Sequence, residues 1–94
     1  MHELTELRAE LDRIDRELVA LFEKRMAVSR EVAAYKMAKG LPVLDASREA
    51  QVIASRQAML RDPRLNGAAA ELFKTVIALS RQEQERVMEE EQHA

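Results

Sequence analysis

Residues 4–39 form an unbroken run, LTELRAELDRIDRELVALFEKRMAVSREVAAYKMAK, that contains neither glycine nor proline. Its apolar residues recur every three or four positions, as on one face of a long α-helix. We therefore predict a first helix from about Thr5 to Lys39, which ends at Gly40 with Pro42 just beyond it. The predicted seam runs through Leu4, Leu7, Leu11, Ile14, Leu18, Leu21, Arg25, Val28, Val32 and Tyr35.

The length of this helix predicts a partner chain. At 1.5 Å per residue the helix spans roughly 50 Å. A compact monomer of 94 residues has a radius of gyration near 12 Å and is only about 32 Å across. Because the helix overhangs any core that one chain builds, its apolar stripe needs to be covered, most simply by a second copy of the chain.

The remainder of the chain predicts two further helices. Asp45 is a good N-cap for a second helix from about Ala46 to Arg61, which Asp62-Pro63 then breaks. A third helix begins at residue 66 or 67 and continues to about residue 90. The expected fold class is all-α, with three helices per chain, one of them very long, in a single domain over residues 1–94.

Composition excludes several classes of function. The chain has no cysteine, so it has no disulfide, thiolate nucleophile or cysteine metal site. Three aromatic residues and a net charge of -2 argue against a nucleic-acid partner. His2 and His93 lie at the chain ends, where a catalytic role is not expected. No segment approaches the ~20 apolar residues of a membrane span, and no signal peptide is recognisable, so we expect no membrane partner and a cytoplasmic location.

Polar side chains stand where a purely structural bundle would carry leucine or valine. Arg25 occupies a seam position, and Ser80 and Gln84, one turn apart, interrupt the apolar face of the third helix. A buried cation is costly unless an anion meets it. Arg25 and Lys36 share a helix face, roughly 16 Å apart along the axis, so that their long side chains could grip a small dianion from its two ends. We therefore predict a polar pocket in the bundle interior.

Arg8 cannot reach that pocket within its own chain. It lies 17 residues before Arg25, about 25 Å away along the helix and ~100° off the shared face. In an antiparallel dimer it could reach the pocket of the partner chain instead.

Taken singly, these residues have plainer interpretations. Arg8 is then a surface charge, and Arg25 is a register device or one half of an inter-helix salt bridge. Ser80 permits close helix packing, and Arg48 and Glu49, at the start of the second helix, form a solvated pair. Only the joint pattern favours a binding site over these alternatives.

That joint pattern extends along essentially the whole chain. It comprises Leu7-Arg8, Ile14-Asp15, Leu21, Arg25, Val32, Lys36, Pro42-Val43, Asp45, Arg48-Glu49, Ser80 and Gln84. In order, spacing and residue type it resembles the all-helical chorismate mutases of the bacterial type. The resemblance implies an intertwined all-α homodimer, in which the two long first helices pack antiparallel and each of two active sites draws on both chains.

The resemblance also implies a reaction, the Claisen rearrangement of chorismate to prephenate on the branch toward phenylalanine and tyrosine. Arg25 and the partner's Arg8 would bind the two substrate carboxylates. Lys36 would contact a carboxylate and the ether oxygen, and Gln84 the same ether oxygen. This pericyclic step needs a restrained conformer and donors at an oxygen that gains negative charge. It needs no nucleophile or general base, so we expect neither a metal nor a cofactor.

Four supporting contacts follow from the same resemblance. Glu49 and the backbone near Asp45 would hold the ring hydroxyl of the substrate. Ser80 would help to seat the ring carboxylate. Arg48 would line the pocket and orient Glu49.

Three other functions remain open at this point. An isochorismate pyruvate lyase shares the fold, but Glu49, placed for a hydroxyl at the chorismate position, argues against it. A 4-amino-4-deoxychorismate mutase also shares the fold, and Glu49 could accept a hydrogen bond from an amine. The third alternative is a non-enzymatic helical dimerisation module, against which the cations and the amide in the seam argue.

Overall fold

The computed structural model describes residues 3–93, which form three α-helices in an all-α fold. Helix α1 covers Leu4–Lys39, α2 covers Ala46–Ala58 and α3 covers Asn66–Gln92, with a 3-10 turn over Pro63–Leu65 before α3. The prediction made for His2 lies outside the described residues. Between residues 3 and 93, no helix has the length and apolar character that crossing a membrane requires.

The end of α1 follows from glycine chemistry, as the sequence predicted. Gly40 adopts the left-handed conformation, with φ 66° and ψ 30°. The amide of Gly40 donates to the carbonyl of Met37, and the amide of Leu41 donates to the carbonyl of Lys36 at 2.8 Å. This pair of bonds satisfies the last carbonyls of the helix and turns the chain toward α2.

Helix α2 begins where it was predicted and ends earlier. The Asp45 carboxylate accepts from the Arg48 amide at 3.0 Å and caps the helix. The last residue is Ala58, whereas the prediction was Arg61. Asp62, at φ -107° and ψ 105°, is extended because a residue that precedes proline avoids the helical region. Asp62-Pro63 therefore sets the furthest possible end of the helix, and the observed end lies three residues short of the predicted one.

Helix α3 is the central element of the chain, because it packs against both α1 and α2. The core that results is small. In residues 3–93, no large apolar side chain is fully buried. The buried apolar residues are Met26 and Ala33 on α1, Val52 on α2 and Ile77 on α3.

The first half of α1 extends beyond this core. Every residue from 3 to 24 is exposed. The chain measures 56 × 28 × 14 Å with a radius of gyration of 16.9 Å, so its long axis is close to the ~54 Å of a 36-residue helix. The predicted seam residues Leu4, Leu7, Leu11, Ile14, Leu18 and Leu21 are 42% to 62% exposed. The predicted overhang is therefore present.

Candidate active site

A pocket of about 380 Å³ lies between the three helices. Its volume falls in the range of small-molecule sites, roughly 300–1,000 Å³. Both polar and apolar side chains line it. They are Arg25, Val28, Ser29, Val32 and Lys36 of α1, Val43 and Asp45 of the following loop, Arg48, Glu49, Val52 and Arg56 of α2, and Ile77, Ser80, Arg81 and Gln84 of α3.

Four cations in this pocket have no carboxylate partner among residues 3–93. They are Arg25 and Lys36 on α1 and Arg48 and Arg56 on α2. In the part of the chain that the structure describes, no carboxylate lies within ion-pair distance of any of them. Burial lowers the pKa of Arg25, and the neighbouring charges of Arg56 and Arg48 lower it further. An anion in the pocket would relieve this repulsion, so the site is electrostatically suited to an anionic ligand.

Two hydrogen-bond donors lie side by side near the end of α1. The Lys36 ammonium donates to the carbonyl of Val43 at 2.8 Å and to Oε1 of Gln84 at 3.0 Å. Lys36 carries three N–H bonds, so one remains for a ligand. Because Oε1 of Gln84 accepts from Lys36, the NH₂ group of the same amide is the end that can donate. An oxygen of the ligand could therefore receive hydrogen bonds from both residues.

A chain of buried hydroxyls supports the amide of Gln84. Nε2 of Gln84 lies 3.5 Å from Oγ of Ser80, which lies 2.5 Å from Oγ of Ser29. The Ser29 hydroxyl donates to the carbonyl of Arg25 at 3.1 Å. Each hydroxyl has one hydrogen, so Ser80 is the donor between the two serines. Ser80 therefore has to turn its hydroxyl before it can donate to a ligand.

The ion-pair partner of Glu49 differs from the one expected. Oε2 of Glu49 lies 2.9 Å from Nε of Arg81 on α3. The Nε–H of Arg81 lacks hydrogen-bond geometry toward any acceptor, so the contact is an ion pair without an aligned hydrogen bond. Arg48 lines the pocket and forms no ion pair with Glu49. Adjacent residues of a helix point ~100° apart, which accounts for the absence of that pair, and the orienting role expected of Arg48 stays a prediction.

The sequence matches a known family over most of its length. The family model for chorismate mutase type II covers residues 7–85. The chain belongs to the chorismate mutase type II family. All the predicted site residues, from Arg8 to Gln84, fall inside the matched range.

Two curated relatives agree with membership in the chorismate mutase type II family. A T-protein of Haemophilus influenzae is 38% identical over 77 residues, which are 82% of this chain and 20% of that protein. A T-protein of Enterobacter agglomerans is 42% identical over 55 residues, which are 58% of this chain and 15% of that protein. The chain therefore spans a fifth or less of the length of these relatives.

The pocket of this chorismate mutase type II chain brings together seven of the eight residues singled out in the sequence. They are Arg25, Lys36, Asp45, Arg48, Glu49, Ser80 and Gln84. Arg8 is not among the lining residues and is exposed on the overhanging half of α1. Among residues 3–93, no cluster of three or more histidine, aspartate or glutamate side chains is arranged to hold a metal ion.

Three polar pocket residues were missed by the sequence analysis. Arg56 lies seven residues after Glu49, two helical turns further along the same face, and that spacing could have indicated it. Ser29 follows Arg25 by one turn and could have been found in the same way. Arg81 follows Ser80 directly, and no spacing rule indicates that it meets Glu49 of another helix.

Proposed function

We propose that this chain catalyses the rearrangement of chorismate to prephenate, as a homodimer with two shared active sites. The observation that carries the proposal is the group of four cations without a carboxylate partner in the pocket, Arg25, Lys36, Arg48 and Arg56. Chorismate carries two carboxylates, and such a dianion supplies the charge that this pocket lacks. Membership in the chorismate mutase type II family supports the same substrate.

Restraint of the substrate is the first requirement of this reaction. The reactive conformer brings the two ends of the molecule together, so its carboxylates must be held against their mutual repulsion. Arg25 is part-buried beside the pocket and carries a planar guanidinium suited to a carboxylate. We assign one carboxylate to Arg25 and the other to the partner's Arg8, with Lys36 as a further contact.

Stabilisation of the breaking C–O bond is the second requirement. The ether oxygen gains negative charge in the transition state, and donors that are already in position stabilise it without reorganisation. Nζ of Lys36 lies 3.0 Å from Oε1 of Gln84, and within residues 3–93 each side chain keeps one N–H that no protein acceptor takes up. An acceleration of ~10⁶ corresponds to about 8 kcal/mol, which several charge-assisted hydrogen bonds in a desolvated pocket can supply.

The proposal that each active site is shared between two chains depends on the exposed first half of α1. Arg8 lies on the segment from residue 3 to residue 24, in which every residue is exposed. An antiparallel partner would cover the apolar seam of this segment and bring Arg8 to the second pocket. The same contact therefore accounts for both the exposed seam and the position of Arg8.

Incubation with chorismate tests the proposal directly. We expect the diene absorbance of chorismate to disappear and prephenate to form without any added metal or cofactor. Arg25→Ala should lower kcat/KM about 10- to 100-fold, because a charged hydrogen bond is lost. Arg64→Ala is the matched control, since Arg64 is exposed, lies outside the pocket and pairs with Asp62. Release of pyruvate from isochorismate, or turnover of 4-amino-4-deoxychorismate in preference to chorismate, would assign a different reaction to the site.

A further inference from the structure

Five cations line the pocket, namely the four unpaired ones and Arg81. Within the described residues, Glu49 is the one pocket carboxylate that forms an ion pair, and its partner is Arg81. Its Oε2 is 2.9 Å from Nε of Arg81, and the two side chains are 23% and 36% exposed. The other pocket carboxylate, Asp45, is engaged with the Arg48 amide as the N-cap of α2. Of the two carboxylates in the pocket lining, Glu49 is thus the one that no backbone cap holds.

The position of Glu49 raises the question of what keeps its carboxylate from pairing with the cations that would bind the substrate. A flexible carboxylate among Arg25, Lys36, Arg48 and Arg56 would be attracted to them and would compete with a dianionic ligand. Among the described residues, Glu49 forms an ion pair with none of these four cations. Arg81, which does pair with Glu49, lies on α3, whereas the four unpaired cations lie on α1 and α2.

We propose that Arg81 is a positioning residue that anchors Glu49, both to hold it for the ring hydroxyl of the substrate and to keep it off the substrate-binding cations. The proposal rests on the function proposed above. Arg81 itself touches no reacting atom. The Nε–H of Arg81 is not yet aligned with Glu49, as is common for functional hydrogen bonds in ligand-free sites, and substrate binding on the other oxygen would tighten the pair.

A purely structural bridge between α2 and α3 predicts different behaviour. Loss of a part-exposed ion pair would lower stability slightly and would leave catalysis to the remaining residues. An anchor for Glu49 instead has no role once Glu49 is neutral, because there is no charge left to hold. The two roles are therefore separated by measuring the effect of Arg81 with and without Glu49.

The experiment compares the parent, Arg81→Gln, Glu49→Gln and the doubly substituted protein, with kcat, KM and Tm measured for each. We expect Arg81→Gln to lower kcat/KM about tenfold, mainly through KM, because the hydroxyl and carboxylates are bound in both ground and transition states. In the Glu49→Gln background, the same substitution should change kcat/KM by less than about twofold. Arg81→Lys keeps a cation and should restore most of the loss.

Arg86→Gln provides the matched control on the same helix. Arg86 is exposed, pairs with Glu83 and Glu90, and lies outside the pocket. The Arg86→Gln protein should lose as much Tm as the Arg81→Gln protein, while its kcat/KM stays at the parental value. The positioning role would be overturned if the losses in kcat/KM of the two single substitutions simply added in the doubly substituted protein. It would also be overturned if Arg81→Gln lowered Tm and left KM unchanged. Either result would leave the proposed function standing. A parent that leaves chorismate unchanged would instead overturn the proposed function and this inference with it.

Discussion

Single side chains determine which atoms of the pocket can donate. The Lys36 ammonium has only hydrogens to offer, so the oxygen of the Gln84 amide faces it and the NH₂ group is left as a donor. Gln84 is only 7% exposed, so water has little access to compete for these hydrogen bonds of the amide. The donor character of residue 84 is therefore the property to test.

Replacement of Gln84 by glutamate should make activity dependent on pH. An ionised carboxylate only accepts, and its charge would repel the ether oxygen as negative charge develops there. A protonated carboxyl regains one donor. We expect Gln84→Glu to be nearly inactive at neutral pH and to regain activity on acidification, while the parent changes little over the same range.

The pH–rate profile of both proteins is the measurement. Burial of the new carboxyl favours its neutral form, whereas the Lys36 ammonium, 3.0 Å from Oε1 of the present glutamine, favours the charged form. Activity should therefore rise as the pH falls, and the midpoint of that rise depends on the balance of these two effects. Gln82→Glu, an exposed change on the same helix, is the control and should keep the parental profile. A Gln84→Glu profile parallel to that of the parent would show that residue 84 does not donate to the reacting oxygen.

At the scale of the helices, a charged cluster fastens α3 to α1 outside the pocket. Glu83 of α3 accepts from Arg30 of α1 at 3.0 Å and from Arg86 one turn along its own helix. Arg86 also donates to Glu90. Hydrogen bonds from Arg86 and then from Arg30 lower the pKa of Glu83 to about 2.

This cluster gives the fold a stability term that depends on pH. The pKa of Glu83 is lower in the folded chain than its ordinary value of 4.5, so its contribution is complete above pH 4.5 and is lost as the pH falls toward about 2. We expect Glu83→Gln to lower Tm at pH 6 and to approach the parent at pH 3. Because solvent screens these groups, the difference should be small.

Thermal unfolding of both proteins at the two pH values measures this difference. Glu85→Gln, an exposed position on α3 outside the cluster, is the control and should not reproduce the pattern. A difference in Tm between parent and Glu83→Gln that stays constant from pH 6 to pH 3 would contradict the assignment.

At the scale of the whole molecule, the chain is as long as its first helix. Its long axis is 56 Å, and the first half of α1 carries an exposed apolar seam. Exposed leucine and isoleucine at this density mark an interaction surface. We therefore expect sedimentation equilibrium to give a dimer, and a stable folded monomer at micromolar concentration would refute both the assembly and the shared site.

Complementation between inactive chains tests the sharing itself. Arg8→Ala and Arg25→Ala dimers should each retain about a tenth or less of the parental kcat/KM. In a mixed dimer both lesions fall in one site and the other site is intact, so random subunit exchange should restore about a quarter of the parental activity. Activity after mixing and proven exchange is the measurement.

A mixture of Arg25→Ala with Lys36→Ala is the matched control. Both residues line the pocket of their own chain, so each site of this mixed dimer retains one lesion and no activity should return. Equal recovery in the two mixtures, or none in the first, would show that Arg8 does not serve the partner's pocket.

The sequence by itself determined the helices and the faces they present. Gly40, Asp45 and Asp62-Pro63 act on backbone within a few residues, so their positions predicted the breaks between helices. The spacing of Arg25 and Lys36 predicted that both face one pocket, because helical periodicity is a local property. The end of α2 was placed at Arg61, three residues beyond its last residue Ala58, because the Asp62-Pro63 signal limits how far the helix can run and does not fix its last residue.

Only the tertiary structure decided which side chains meet across helices. Lys36 and Gln84 lie 48 residues apart, and their contact depends on how α3 crosses α1. Glu49 pairs with Arg81 of α3 and not with Arg48 beside it, because the packing of α2 on α3 sets that distance. The crossing arises from the sum of many side-chain contacts in a small core, and no spacing within one helix encodes it.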